Sequence, residues 1–314
     1  MSAPFLRIGT RGSPLALAQA EETRARLCAA HGVEPAAIPL VVIRTTGDAI
    51  RDRPLSEAGG KGLFTKELDQ ALIEGRIDLA VHSAKDVPAL MPNEVDVIGA
   101  LPREDVRDAL ISRGGVTSLG EVSQGALMGS ASLRRQAQLL RARPDLRVVL
   151  LRGNVETRLR KVEVGEIEGT LLAMAGLNRL GLAHRAAGVL DTDAFLPAAG
   201  QGAIAIAARA RDTSTRALIE PVLDGPTSIA LGAERAFIHR LDGSCRTPLA
   251  GLAEVTDGLV VFRGELLSPD GRQHVRAERA GSVADAAKLG DDAAREILDR
   301  APSGLVVRPG EVGG

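Results

Sequence analysis

The groups in this chain able to do chemistry are few and fall in short charged segments. Cys245 lies in "HRLDGSCRTPLAG", between a Gly-Ser pair and an Arg-Thr-Pro turn, and is one of two cysteines in 314 residues. A thiol in an accessible loop can act as a nucleophile or hold a covalently attached group. The other cysteine, Cys28, falls within a helical pattern and reads as packing. Two distant cysteines without a CxxC give neither a disulfide framework nor a zinc site, so no metal is expected. The segment "AVHSAKDVPA" ends an apolar strand in His82, Ser83, Lys85 and Asp86. Charged groups at the carboxyl end of a buried strand project into a ligand crevice. Lys85 and Asp86 could be a structural ion pair and His82 a hydrogen-bonded structural histidine. In company with the other charged segments, Asp86 is the best candidate for acid/base or cation-stabilising work.

Three further segments share one design, in which an apolar strand ends, arginine follows, and Ser or Asn opens a helix. They are "LRIGTRGSP" (Arg11, Ser13), "LMGSASLRRQ" (Ser132, Arg134, Arg135) and "VVLLRGNVETR" (Arg152, Asn154, Arg158). Helix N-termini attract anions, and cations in a first turn oppose the helix dipole. An anion beside Arg134 and Arg135 would remove that conflict. At any one site the arginines could instead be solvated or paired with Asp or Glu. Three such sockets together point to a polyanionic ligand, and arginine binds carboxylates in bidentate fashion. In "AGGKGLFTKE", Lys61 is followed by Gly62 rather than Ser or Thr, which excludes a P-loop. The glycines suit a cover over a ligand, with a plain turn as the alternative.

The elements that must position these residues alternate between strand and helix. "FLRIG", "LVVIRTT", "IDLAVHSA", "VDVIGAL", "ALMGS", "RVVLLRG", "GTLLAMAG" and "AIAIAAR" read as strands. Helices are expected at "SPLALAQAEETRARLCAAH" (Ser13 as N-cap, Pro14 first), "TKELDQALIEG", "SLRRQAQLLRAR", "NVETRLRKVEVG" and "SIALGAERAFIHRL". After residue 248 the pattern turns to antiparallel strands, "LAGLAEV", "LVVFRGELL" and "RQHVRAERAG", followed by a last helix. The expectation is α/β architecture with largely parallel sheets in two domains, then a small α+β domain. Formal net charge is −1, and there is no Trp or Tyr, which argues against nucleic-acid binding. No apolar run resembles a signal peptide or a membrane span, so a cytoplasmic location is expected. Only five of the 39 basic residues are lysine, which makes Lys61 and Lys85 the more informative cations.

Taken in order, "LRIGTRGSPLALAQA", "GGKGLFTKELD", "DLAVHSAKDVP", "SLRRQAQL", "LRGNVETRL", "AGLNRLGL", "PAAGQGAI", "ERAF" and "GSCRTP" resemble the porphobilinogen deaminase (hydroxymethylbilane synthase) family. The resemblance implies two α/β domains like type II periplasmic binding proteins plus a small C-terminal α+β domain. Domain 1 would comprise 1–101 and 195–219, domain 2 would be 102–194, and domain 3 would be 220–314. It implies a transferase that condenses four porphobilinogen molecules, with loss of ammonia, into a linear tetrapyrrole for porphyrin biosynthesis. Growth would start from a dipyrromethane cofactor joined to Cys245 by a thioether. Asp86 would be the catalytic carboxylate. Arg11, Ser13, Lys85, Ser132, Arg134, Arg135, Arg152, Arg158, Arg179 and Gln201 would contact cofactor or substrate, with Lys61 in the cover segment. Ala131 departs from the hydroxyl residue of many relatives. A monomer acting on a small molecule, without nucleic-acid or membrane partners, is expected. The alternative is a non-catalytic cytosolic protein that binds polycarboxylates or other anions.

Overall fold

The computed structural model describes residues 4–49, 62–241, 247–302 and 305. Along the chain run β1 (Ile8–Thr10), α1 (Pro14–His31), β2 (Leu40–Val42), α2 (Thr46–Ala49), α3 (Lys66–Ile73), β3 (Leu79–Ser83) and β4 (Val95–Ala100). Then come β5 (Asp108–Ser112), β6 (Leu127–Ser130), α4 (Leu133–Ala142), β7 (Arg147–Leu150), α5 (Val155–Glu163), β8 (Gly169–Ala173), α6 (Met174–Arg179) and β9 (Gly188–Val189). The last elements are β10 (Ile204–Arg209), α7 (Thr213–Ile219), α8 (Gly225–Arg240), β11 (Leu249–Thr256), β12 (Leu259–Leu267), β13 (His274–Ser282) and α9 (Ala286–Arg300).

The helix starts follow the local chemistry. Ser13 accepts a hydrogen bond from the Ala16 N–H, with Pro14 in the first turn. Ser132 and Asn154 cap α4 and α5 in the same way. Three readings need correction. The run "LVVIRTT" is a strand only over Leu40–Val42, and Thr46 already begins α2. The run "GTLLAMAG" is a strand only to Ala173, and Met174 already begins α6. An uninterrupted apolar run carries no mark of where the period changes. The strand β5, "DALIS", and the two-residue β9 were not expected, because β5 is short and follows a charged stretch.

Two five-stranded sheets are wound alike. The first has the order β2-β1-β3-β10-β4, and the second β7-β6-β8-β5-β9. In each, three strands are parallel and the fourth runs antiparallel to both neighbours: β10 against β3 and β4, and β5 against β8 and β9. The chain therefore crosses between the sheets twice, through 101–107 and 190–203. A three-stranded antiparallel sheet, β11-β12-β13, forms the third unit, covered by α8 and α9. Phe237 and Phe262 meet in its core with ring centroids 5.0 Å apart.

The two crossings lie side by side and meet the third unit at one buried carboxylate. Glu234 on α8 is sealed from solvent and takes both Arg103 guanidinium nitrogens, at 2.7 and 3.1 Å. It also accepts the N–H groups of Gly200 and Ala253. Arg103 Nε donates to the Gln201 carbonyl at 2.9 Å. Gly200 and Gly202, which flank Gln201, both have positive φ. A Cβ on Gly200 would come 2.8 Å from the backbone of Ala84 and Lys85, and one on Gly202 would strike the Glu104 carbonyl. The "GQG" triplet thus lets the second crossing press against both the first crossing and the Lys85 turn.

Candidate functional site

At the carboxyl ends of the first sheet, β1 delivers Arg11 and Ser13 while β3 delivers Lys85 and Asp86. A cavity of about 60 Å³ opens there, lined by Arg11, Ser13, Gln19, Phe64, His82 and Asp86. Arg11 Nη1 lies 3.6 Å from Asp86 Oδ2, and its guanidinium carbon is 4.0 Å from the centre of the Phe64 ring. That cation–π contact and the carboxylate fix the guanidinium from two sides. Asp86 keeps about a third of its side chain exposed (34%). His82 is buried, and burial followed by the Arg11 charge lowers its pKa to about 4, so the imidazole is neutral. Its Nε2 has no hydrogen-bond partner among the described residues.

The second sheet is different. Arg134 and Arg135 are both buried, and the anion that their first-turn position demands is Asp108, at the start of β5. Arg134 Nη2 lies 2.8 Å from Asp108 Oδ2, and Arg135 Nη2 lies 2.7 Å from Oδ1. Burial alone would raise the Asp108 pKa, but the two guanidiniums and the hydrogen bonds from Arg135 and Gln201 hold it well below the carboxylate range. Arg134 donates further to Gln138 and the Leu196 carbonyl, and Arg135 to the Leu171 carbonyl. Among the described residues, the Nε–H of Arg134 and the Oδ2 of Asp108 are buried without a hydrogen bond, although Oδ2 lies within ion-pair distance of Arg134 Nη2.

Gln201 bridges the two regions. Its Nε2 donates to Asp108 Oδ1 (2.9 Å) and the Val106 carbonyl (2.8 Å), and its Oε1 accepts from Lys85 Nζ at 3.2 Å. Lys85 as a residue is open to the cleft, while its ammonium group sits in dense surroundings. Burial and then the Arg135 charge push its pKa down to about 8, against the pull of Asp86 and Asp108. Arg158 falls to about 10 through burial and the Arg135 and Arg152 charges, with Asp86 opposing. Lys85, Asp86, Arg135, Arg152 and Arg158 thus lie within one another's electrostatic reach, with cations in excess.

Of the other residues singled out in the sequence, Ser132 spends its hydroxyl capping α4, where it accepts from the Arg135 N–H at 3.4 Å. Arg179 joins the two sheets, donating to Glu22 at 3.0 Å and to the Gly202 carbonyl at 3.1 Å. Cys28 packs against the first-sheet core. Cys245 and Lys61 lie outside the described residues. Sequence reasoning missed Asp108, Gln138 and Phe64. Phe64 stood inside the "GGKGLFTKELD" motif. The only signal for Asp108 was a charged residue opening an apolar pentapeptide.

Residues 6–217 match the family model "Porphobilinogen deaminase, dipyromethane cofactor binding domain", and residues 229–299 match "Porphobilinogen deaminase, C-terminal domain". A porphobilinogen deaminase of Nitrobacter hamburgensis is 57% identical over 294 residues, covering 94% of this chain and 93% of that protein. One of Paracoccus denitrificans is 53% identical over 298 residues, covering 95% of each. Among solved structures, the aliphatic sulphonate binding protein SsuA of Escherichia coli gives a TM-score of 0.41 at 15% identity, over 78% of this chain and 72% of that one. With both family models matched in succession and more than half of all positions shared with such relatives over nearly their whole length, the chain belongs to the porphobilinogen deaminase family.

Proposed function

We propose that this chain is a hydroxymethylbilane synthase, which condenses four porphobilinogen molecules with release of ammonia into a linear tetrapyrrole of porphyrin biosynthesis. The observation that carries this reading is the excess of cations around Asp86. Burial first and neighbouring arginine charge second depress both Lys85 and Arg158, and Arg134 keeps an Nε–H without a partner among the described residues, so added carboxylates would be welcome in the cleft. A chain of pyrroles bearing acetate and propionate groups supplies them. The residues present therefore fit a bound dipyrromethane and its extensions. Arg11, Ser13, Lys85, Arg134, Arg135, Arg152 and Arg158 hold the carboxylates, and Cys245 is the attachment point through its sulfur. When bound, the dipyrromethane supplies the free α-carbon from which the chain grows.

Asp86 is the catalytic group. As the aminomethyl C–N bond of porphobilinogen breaks and ammonia leaves with the electron pair, positive charge develops on the pyrrole ring, and the Asp86 carboxylate stabilises it. Arg11 holds that carboxylate in place, and Phe64 holds Arg11. Gln201 ties Lys85 to the second sheet, so ligand groups held by either sheet share one cleft. The enzyme acts as a cytoplasmic monomer on a small molecule. Among the described residues no helix is long and apolar enough to cross a membrane, and the near-zero net charge gives nucleic acid no general attraction.

Cys245→Ser tests the assignment. The variant is expected to fold, to lack the added mass of the attached group, and to form little product, because a hydroxyl is a far poorer nucleophile than a thiolate. Intact mass and peptide mapping decide. A fully active protein of unmodified mass, or the added mass on the Cys28 peptide, overturns the reading.

A further inference from the structure

We propose that Glu265, on β12 of the third unit, is a positioning residue that holds Gln138, and through it Arg134, in the orientation the cleft uses. The proposal rests on the reading that Arg134 serves the bound ligand.

Register along β12 sets which face each side chain takes. Along β12 the residues Val260, Phe262, Gly264 and Leu266 face the core under α8 and α9, and Leu259, Val261, Arg263 and Glu265 alternate onto the other face. That outer face is exposed at Leu259 and Val261 yet sealed at Glu265. The difference is α4, which packs on β12. Glu265 is therefore a residue that the strand pattern assigns to solvent and that docking of the second unit desolvates. Such a carboxylate needs partners, and it has two. Its Oε1 accepts from Arg276 Nε at 2.8 Å, directly across the strand pair, and its Oε2 accepts from Gln138 Nε2 at 3.0 Å.

Gln138 is then left with one orientation. Its NH2 donates to Glu265 and to the Leu196 carbonyl (3.0 Å), and its Oε1 accepts from Arg134 Nη1 at 2.9 Å. A carboxylate and a carbonyl only accept, while a guanidinium only donates. A flipped amide would set its oxygen against two oxygens and its NH2 against Arg134. Arg134 Nη1 donates to the same Leu196 carbonyl, and Nη2 faces Asp108. The guanidinium is thus pinned at both Nη atoms, one of them through a residue belonging to the third unit. Docking of that unit, which bears the Cys245 segment, and the set of the Arg134 side chain become one event.

The test uses the full-length enzyme with Glu265→Gln, Arg134→Lys and the double variant. KM and kcat for porphobilinogen are measured together with hydrogen exchange of the α4 amides. Loss of one net hydrogen bond predicts a KM raised about fivefold in Glu265→Gln, with kcat nearly unchanged and faster exchange in α4. The Glu265 effect is expected to vanish in the Arg134→Lys background, because both changes break the same tie. Should Glu265→Gln fail to fold, Gln138→Met cuts the tie without disturbing Arg276, and the same KM rise is expected. An unchanged KM in Glu265→Gln beside an impaired Arg134→Lys, or effects that simply add, overturns the tie. A kinetically silent Arg134→Lys overturns the proposal by another route, through the ligand role of Arg134 itself.

Discussion

Two clusters of charge stand at corresponding ends of two sheets wound in the same order, and they are built in opposite ways. Around Asp86 the contacts are long and partly open: 3.6 Å to Arg11, a third of the carboxylate exposed, and a cavity alongside. Around Asp108 they are short and sealed, with two guanidiniums at 2.7 and 2.8 Å and no exposure of the carboxylate. The same sequence device, a strand end followed by arginine and a helix cap, therefore serves two purposes. Where a sealed carboxylate takes both guanidiniums, the arginines are set in one orientation and only their remaining donors can meet a ligand. Where the ion pair is long and partly solvated, as between Arg11 and Asp86, both charges stay accessible to a ligand. The presence of arginine does not separate the two cases, whereas the presence of a buried carboxylate within reach does.

The contrast can be broken at the sealed side first. Asp108→Asn leaves two buried guanidiniums facing an amide that can offer only one oxygen, and removing one partner of a buried ion pair costs about 3–5 kcal/mol. Urea or thermal unfolding should show a loss of that size, and a variant as stable as the parent would dissolve the distinction between the clusters. On the open side, Asp86→Asn should leave stability near that of the parent, because the group is partly solvated. Its turnover should fall by on the order of 10²–10³, equivalent to about 2.7–4 kcal/mol of transition-state stabilisation. Single-turnover rates with porphobilinogen, measured beside circular dichroism, separate the two effects. Full activity would make Asp86 no more than the ion-pair partner of Arg11.

Lys85 links the two regions and sharpens the comparison through pH. Its pKa of about 8 means that the cation is present below that pH and lost above it. If the ammonium binds ligand carboxylate, kcat/KM falls about tenfold per pH unit on the alkaline side. Lys85→Arg keeps the charge to far higher pH, so its alkaline limb should flatten. An unchanged limb would mean that another group titrates there. The smallest effect belongs to Ser132→Ala. Loss of the α4 cap predicts about 1 kcal/mol of destabilisation with KM close to the parent. A raised KM in addition would place Ser132 among the ligand contacts.

Much of the fold was legible because its signals are local. Ser13-Pro14 and Asn154 announce helix starts through backbone N–H groups that need an acceptor, and the period-2 pattern of "LVVFRGELL" announces a strand. The strand β5 was not legible, since five residues after a charged stretch carry no period long enough to separate strand from loop. With β5 went Asp108, and with Asp108 the partner of Arg134 and Arg135. Glu265 was hidden in another way, because its position in the alternation of β12 assigns it to solvent.

The sequence by itself determined most of the element types, the apolar strand ends that set Arg11, Lys85 and Asp86 at a cleft, and the motif order that marks the family. All of these depend on neighbours within a few residues, or on residue identity alone. Only the tertiary structure decided which arginines meet a sealed carboxylate and which a partly solvated one. That outcome turns on Asp108 meeting Arg134 and Arg135 from 26 and 27 positions away, and on Glu265 meeting Gln138 from another unit of the fold. A charge is neutralised or left in want of a ligand by whatever lies within a few ångströms in space, and nothing in the spacing of residues along the chain encodes that distance.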